Sequence, residues 1–396
     1  MKIAIFSDSF YPELSGISDS IIALAKELAK FGNQINFYVP YYSAKNYQRA
    51  KLSEQELDLG ENIKINRLFS FPYKSGTEQA RLTVPSPWHW ISVKDFGPDI
   101  IHTQLFFGVG LDAIISAKIN NIPIVGTNHT AITEFVRYSP IKTEWFKKLS
   151  MKYAVWYYNH CNYVTAPSQS VFDEMDKYGF NQSHRVISNP INLDIFSPLL
   201  LNKKQEIKKE FGLSDATLVC AGRLAPEKNI DVLIRALSLV KRRFPAVSLI
   251  LAGHGNAAEK LKNLAKTLNL GQSIKFLGTV DQLTLAKLYQ ASEIFVISST
   301  SETQSMSLMQ AMASGLPAVG VKARTLPEYI NDQNGFLVEP NDYRAFAEKL
   351  IILLEDSILR KKLGQNASAL VQKFSISNIT KEWERIYNNV ISMKNK

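Results

Sequence analysis

Two short clusters in the second half of the chain carry the residue types that handle an anionic leaving group. The first is Arg223 with Lys228, five residues apart, in LVCAGRLAPEKN. Its apolar start, Leu218 to Ala221, reads as a buried strand, Gly222 opens a turn, and a helix follows through Ile230, Val232, Leu233, Ala236 and Leu237. A guanidinium grips oxygens in a fork and an ammonium acts as a point charge, so the pair suits a diphosphate. The second cluster runs from Ser298 to Gly320, SSTSETQSMSLMQAMASGLPAVG. The apolar Ile294 to Ser298 predicts a buried parallel strand and Leu308, Met309, Ala311 and Met312 have helical spacing, so Glu302 falls where strand gives way to helix. Ligands of open α/β sheets bind beyond the carboxyl ends of the strands, and the N–H groups of a following helix favour an anion there. Taken alone, Glu302 is a first-turn charge complementing a helix dipole, and either cation alone is an ordinary surface residue.

The elements that must position these groups follow a repeating grammar. In the first half, strands are predicted near 2–7, 35–39, 63–68, 99–102, 122–126 and 162–166, with helices near 18–31, 108–120, 141–159 and 169–178. After Asn189-Pro190 comes a Lys-rich connection. Strands near 217–222, 247–252, 274–277, 294–298, 317–321 and 336–338 then alternate with helices. Such alternation predicts an α/β fold with parallel sheets covered by helices on both faces. A last helix near 378–392 has apolar positions at Ile379, Trp383, Ile386, Tyr387, Val390 and Ile391, a stripe that must be covered.

At 396 residues the chain is too long for one ordinary core, and two domains are expected. Two cysteines, Cys161 and Cys220, lie in or beside apolar runs without metal-ligand spacing, and are expected to be buried thiols in a reducing compartment. The opening MKIAIFSDSF reads as a first strand and not as a signal peptide. No apolar run reaches the ~18 residues needed to span a bilayer, so a cytoplasmic or peripheral protein is expected. The net charge of +10 and pI of about 9.3 point to anionic partners. The Lys203-Lys204, Lys208-Lys209, Lys241-Arg242-Arg243 and Lys361-Lys362 groups read as solvated helix faces. No nucleic-acid-reading motif is present, so no nucleic-acid partner is expected.

Ten segments in order make the pattern specific: SFYPELSGIS, DIIHTQ, TNHTAITEF, APSQSVFDEM, ISNPINLDIF, AGRLAPEKN, LAGHGN, IKFLGTV, SETQSMSLMQAMASGLP and NGFLVEPND. Together they resemble the family 4 retaining glycosyltransferases of GT-B architecture, two Rossmann-like domains facing each other across a cleft. The resemblance implies an N-terminal acceptor-side domain over 1–192, a linker over 193–206, a nucleotide-sugar-binding domain over 207–372, and a C-terminal helix over 373–396 that packs back on the N-terminal domain. It implies that Arg223 and Lys228 bind the donor diphosphate and stabilise charge growing on the leaving nucleotide. Glu302 would accept hydrogen bonds from donor-sugar hydroxyls. Backbone N–H groups over Thr303, Gln304, Ser305, Met306 and Ser307 would hold sugar and phosphates. Gly16 would let the backbone approach the diphosphate, Gly222 and Gly253 would be donor-binding, and His129, in Thr127-Asn128-His129-Thr130, would reach the sugar. Retaining transfer in one front-face step requires no enzyme nucleophile, because the leaving phosphate itself takes the acceptor's proton. Neither cofactor nor metal is expected.

Two positions depart from the family pattern. Where a second Glu is usual, eight residues after Glu302, this chain has Gln310. On a continuous helix that spacing would put both on one face, with the second serving the ribose. His254 stands between the glycines of LAGHGN, where an acidic residue is common. For the acceptor, residues 135–158 interleave Trp145, Phe146, Leu149, Tyr153 and Trp156 with Lys142, Lys147, Lys148 and Lys152. This segment reads either as a helix covering the N-terminal sheet or as one lying on an anionic membrane. TNHTAITEFVRYSP with SETQ resembles diacylglycerol α-glucosyltransferases, which implies glucose transfer from UDP-glucose to a lipid hydroxyl at the inner face of the cell membrane. A GDP-mannose-dependent mannosyltransferase, a nucleotide-sugar 2-epimerase and a noncatalytic nucleotide-sugar binder are the alternatives. A dinucleotide-dependent dehydrogenase is disfavoured, because Phe10-Tyr11-Pro12 interrupts the turn where a glycine-rich phosphate loop belongs.

Overall fold

The computed structural model describes residues 1–13, 15–50, 52–72, 81–132, 143–199 and 201–394. The chain divides into two compact units, one of Met1–Pro190 with Ile376–Lys396 and one of Ile191–Ser375.

The first unit is built on a seven-stranded parallel sheet. Its strands are β1 (Lys2–Phe6), β2 (Gln34–Pro40), β3 (Ile63–Leu68), β6 (Ile100–Thr103), β7 (Ile124–Thr127), β8 (Tyr163–Ala166) and β9 (His184–Val186), in the order β3-β2-β1-β6-β7-β8-β9. Strands β6 and β7 are buried at every position, as expected of parallel strands with helices on both faces. Order reverses between β1 and β6, which makes their carboxyl ends a topological switch point. A two-stranded hairpin of β4 (Ser70–Pro72) and β5 (Arg81–Thr83) and a helix over Pro87–Phe96 were not expected from the sequence.

The C-terminal helix, Ile376–Lys394, belongs to this first unit. It buries Ile379, Trp383, Ile386, Tyr387 and Val390, a stripe at helical spacing, and packs against helix Gly16–Lys30. The Asn33 amide donates to Glu384 at 3.0 Å beside that seam.

The second unit holds a six-stranded parallel sheet of β10 (Thr217–Ala221), β11 (Ser248–Ala252), β12 (Ile274–Gly278), β13 (Ile294–Ile297), β14 (Ala318–Val321) and β15 (Gly335–Val338), ordered β12-β11-β10-β13-β14-β15. Here the reversal lies between β10 and β13, the two strands that carry the Arg223 and Glu302 loops. Helix Ile230–Val240 buries Ile230, Val232, Leu233, Ile234, Ala236, Leu237 and Val240, and truncating one such leucine costs about 3 kcal/mol.

Three expectations are corrected. The 193–206 stretch is not a linker between units: it lies inside the second, and a helix over Leu201–Phe211 begins within it. Lys204 and Lys208 do not face solvent. Their ammonium groups sit 3.0 and 2.8 Å from the Glu293 carboxylate, which Arg360 also approaches at 3.2 Å. Cys161 is buried but Cys220 only half-buried; both are free thiols, and burial pushes Cys220 up to about 12 and Cys161 higher still.

Candidate functional site

Strand β10 ends at Ala221, and Gly222 turns the chain with φ 138°, a conformation that L side chains rarely adopt. Leu224 N–H donates to His254 C=O at 3.0 Å and Gly222 N–H to Ala252 C=O at 2.9 Å, so the loop leaves alongside the turn after β11. The approach is closest at Gly253, φ 149°, where a Cβ would fall 1.9 Å from the Gly222 carbonyl oxygen. The LAGHGN glycines thus shape the Arg223 loop from the neighbouring strand.

The chain continues into a single turn of 3-10 helix over Pro226–Lys228, and Asn229, at φ 48°, starts helix Ile230–Val240. This turn is stitched to the loop after β13. Ser298 Oγ donates to Lys228 C=O at 2.9 Å, Thr300 N–H to Glu227 C=O at 3.3 Å, and Asn229 Nδ2 to Thr300 Oγ1 at 3.2 Å. Adjacent strands and these cross-loop bonds bring Lys228 and Glu302 together across 74 residues of sequence.

Lys228 Nζ donates to Glu302 Oε1 at 2.7 Å, with side chains 23% and 12% exposed. Burial pushes the Glu302 carboxyl up, but Lys228, a bond from Ser299 and the nearby Arg223 charge together hold it below its ordinary value, so it is an anion at neutral pH. Arg223 Nη2 donates to Glu227 Oε1 at 2.8 Å. Glu227 is buried and holds the half-exposed guanidinium from one side. This residue escaped the sequence reading, although its i to i+4 spacing from Arg223 was a visible signal.

Helix Met306–Ala313 starts beyond Glu302, with Ser305 as N-cap accepting from Leu308 N–H at 3.3 Å. Glu302 and Thr303 therefore lie in the preceding loop, and Met306 and Ser307 form the first turn. Gln304 is buried and donates to Tyr329 Oη at 3.3 Å. Gln310 is on the helix, partly buried, while Glu302 is not, so the two do not share a helix face. The expectation fails because a polar loop of eight residues, 298–305, separates β13 from the helix.

The first unit holds the two remaining candidates. Gly16 is exposed at the first position of helix Gly16–Lys30, whose N-cap Ser15 accepts from Ser18 N–H at 3.1 Å. His129 follows β7 and is buried, its Nε2 2.8 Å from Gln104 Oε1. Strand β6 separates β1, which leads to Gly16, from β7. Asp8, past the end of β1, accepts from the N–H groups of Phe107, Val109 and Gly110 and so caps helix Gly108–Ile119 across about a hundred residues of sequence. Burial outweighs these bonds and pushes its carboxyl up to about 7.

Helix Glu144–Tyr158 buries Met151, Ala154, Val155, Tyr157 and Tyr158 and exposes Trp145, Lys148, Leu149, Lys152 and Trp156 along its other side. One face covers the unit's core and the other presents apolar groups between cations. Residues 133–142, including Lys142 and part of TNHTAITEFVRYSP, lie outside the described residues. Among the described residues no helix is long and apolar enough to cross a membrane, and no cluster of His, Cys, Asp and Glu could hold a metal ion.

Known families match both units. Residues 14–195 match the model described as Glycosyltransferase Family 4, and residues 202–369 match that of Glycosyl transferases group 1. The chain is 28% identical over 338 residues to an alpha-monoglucosyldiacylglycerol synthase of Streptococcus pneumoniae, covering 84% of this chain and 74% of that protein. It is 24% identical to the protein of the same description from Acholeplasma laidlawii, covering 100% and 99%. Among solved structures, sucrose-phosphate synthase from Thermosynechococcus elongatus superposes with a TM-score of 0.79 at 19% identity, covering 99% of each chain. Anabaena HepE, solved in complex with UDP and glucose, gives 0.78 at 21% identity, covering 98% of this chain and 100% of that one. These likenesses place the fold in the GT-B class.

Proposed function

The chain belongs to the family 4 glycosyltransferases, and from that premise we propose that it moves glucose, with retention, from UDP-glucose to the hydroxyl of a membrane lipid such as diacylglycerol. The observation that carries the donor half is the Lys228–Glu302 pair at 2.7 Å with Arg223 beside it at the β10/β13 switch point. A nucleotide-sugar needs cations for its diphosphate next to a hydroxyl acceptor for its sugar, and this loop pair supplies both. The similarity to two alpha-monoglucosyldiacylglycerol synthases supports the acceptor half.

In the reaction proposed, the bond between the anomeric carbon and the phosphate oxygen breaks as the acceptor oxygen closes from the same face. The departing phosphate takes the acceptor's proton, so UDP and the glycolipid are the products. Arg223 and Lys228 stabilise the negative charge that grows on the diphosphate, where fixed charge contributes most to rate. The first-turn amides over Met306 and Ser307 add the dipole of their helix. Glu302, held as an anion, accepts from sugar hydroxyls. Gly16 and His129 keep the donor-side roles that the family pattern implies, and the reaction needs no cofactor or metal. The exposed Trp145, Lys148, Leu149, Lys152 and Trp156 stripe suits a membrane surface that holds the acceptor, with aromatics at the interface and cations toward anionic headgroups.

The test is to incubate the protein with labelled UDP-glucose and, separately, GDP-mannose, with and without anionic vesicles containing diacylglycerol. Label in the lipid fraction from UDP-glucose, dependent on diacylglycerol, is expected. Transfer from GDP-mannose alone would replace the donor, and binding without product would remove the activity.

A further inference from the structure

The hairpin of β4 and β5 in the first unit is built inside out. Side chains alternate along a strand, so one face of the ribbon carries Ser70 opposite Thr83 and the other carries Phe71 opposite Leu82. The polar pair is the buried one. Ser70 Oγ donates to Tyr41 C=O at 2.6 Å, and Arg81 Nη2 donates to Ser70 C=O at 2.6 Å. Thr83 lies so close to helix Gly108–Ile119 that a Cβ on Gly108 would fall 1.9 Å from the Thr83 carbonyl oxygen. The outward face is apolar: Phe71 and Leu82 are 49% and 45% exposed. Phe69 and Val84, which flank the strands with the same alternation, are 68% and 57% exposed, and the Phe69 and Phe71 rings lie 4.9 Å apart.

Helix Pro87–Phe96 continues the pattern. Its His89 and Trp90 side chains reach the buried Asp112 carboxylate at 2.7 and 3.1 Å, and Val93 is buried. Trp88 and Ile91, i to i+3 on the opposite side, are 79% and 49% exposed. A single exposed apolar residue is ordinary, but six large ones gathered on one stretch mark a contact surface. Charge points to what it contacts: the described residues 69–72 and 81–94 hold Arg81 and an exposed Lys94 and no carboxylate, and the first acid beyond them is Asp95 near the end of the helix. The surface also adjoins the Trp145–Trp156 stripe at residues 106–108. Thr83 presses on Gly108 from one side, and Tyr153, stacked on Trp156, donates to Phe106 C=O at 2.9 Å from the other. Aromatic and aliphatic groups with cations and no acids suit an anionic bilayer interface, which takes rings among its headgroups and needs no shaped pocket.

We propose that the outer face of the β4–β5 hairpin, together with Trp88 and Ile91, is a second membrane-contact surface that enters an anionic bilayer interface alongside helix Glu144–Tyr158. The inference rests on, and deepens, the reading of a membrane-lipid acceptor. One helix lying on a bilayer leaves its unit free to roll about the helix axis, whereas a second contact fixes which side of the unit faces the lipid.

The probe is a vesicle of phosphatidylglycerol and phosphatidylcholine without diacylglycerol, mixed with the full chain and no sugar donor, so that binding is read apart from transfer. Phe71→Ser with Leu82→Ser should lower the vesicle partition coefficient about tenfold or more, because each half-exposed side chain forgoes about half of a full burial. The loss should be the same at low and high salt, since it is apolar. Trp88→Ser with Ile91→Ser should behave alike. With brominated acyl chains in the vesicle, quenching of tryptophan emission should be smaller in Trp88→Phe than in the wild type. All these side chains face solvent, so circular dichroism and melting temperature should stay those of the wild type; should the hairpin pair not fold, the helix pair and Trp88→Phe decide. Wild-type partition in both pairs overturns the proposal, as does quenching unchanged in Trp88→Phe. A dimer lost in either pair by sedimentation equilibrium, with partition unchanged, would also overturn it and assign the surface to a second copy of the chain. Partition lowered as expected, in a protein that transfers nothing from UDP-glucose to diacylglycerol, would keep this surface and overturn the acceptor reading. Transfer to diacylglycerol with partition unchanged in both pairs would do the reverse.

Discussion

Replacing Glu302 with Gln should separate the two halves of donor recognition with opposite signs. Glutamine keeps an acceptor oxygen near Lys228 Nζ but loses the charge that now lies 2.7 Å from it. At an effective dielectric of ~20, unit charges at that separation attract by about 6 kcal/mol before desolvation is subtracted. Even a fraction of this, about 1 kcal/mol, released to act on a diphosphate makes UDP bind several-fold tighter, an effect that salt weakens. UDP-glucose gains the same benefit but loses a charge-assisted hydrogen bond to the sugar, about 1.5–3 kcal/mol. The ratio of the UDP-glucose Kd to the UDP Kd should therefore rise at least about tenfold, with UDP itself unchanged or tighter. Isothermal titration of both ligands against both proteins at fixed salt measures this. If UDP weakens in step with UDP-glucose, so that the ratio stays constant, Glu302 is only a brace for Lys228 and the assignment to the sugar is wrong.

Three further outcomes follow from the same geometry. Glu293→Gln leaves Lys204, Lys208 and Arg360 around a neutral side chain, and should destabilise the protein by about 3 kcal/mol in urea denaturation; a change below ~1 kcal/mol would show the cluster to be incidental. His102 and His129 have folded values of about 3 and 4 against an ordinary 6.5, so between those limits the unfolded chain binds more protons and stability falls as pH falls. Asp8, raised from 3.8 to about 7, acts in the opposite sense over nearly the same window, leaving a net loss of about 1.4 kcal/mol per pH unit from 6.5 down to 4. His102→Gln should flatten that slope in denaturation curves, and an unchanged slope would contradict the assignment. Trp145→Ala with Leu149→Ala should weaken sedimentation with anionic vesicles at all salt concentrations, whereas Lys148→Glu with Lys152→Glu should weaken it chiefly at low salt, by about 1 kcal/mol per cation lost. Wild-type binding by both pairs would move the membrane contact elsewhere.

What the sequence made legible is what short-range pattern encodes. The parallel strands stand out because burial on both faces demands continuous apolar runs, as in Ile294–Ile297. Arg223, Lys228 and Glu302 stand out because each follows such a run. The hairpin of Ser70–Pro72 and Arg81–Thr83 did not, since three-residue strands leave no period to read. Helix Pro87–Phe96 buries only Val93, so it shows no apolar stripe. Lys204 and Lys208 look like solvated lysines until Glu293, 85 residues beyond Lys208, turns them inward. Asp8 is similar: its partners are backbone N–H groups about a hundred positions away, and no side-chain type signals them. Glu302 and Gln310 were placed on one helix face because spacing alone does not say where a helix begins, and Ser305 begins it too late.

The division of labour around the diphosphate is tested most directly by single-turnover transfer from labelled UDP-glucose, at saturating donor, in Arg223→Ala and Lys228→Ala. Each should lose on the order of a hundredfold or more in rate, the cost of removing one preorganised charge from a developing anion. Near-normal turnover in either variant would contradict the account.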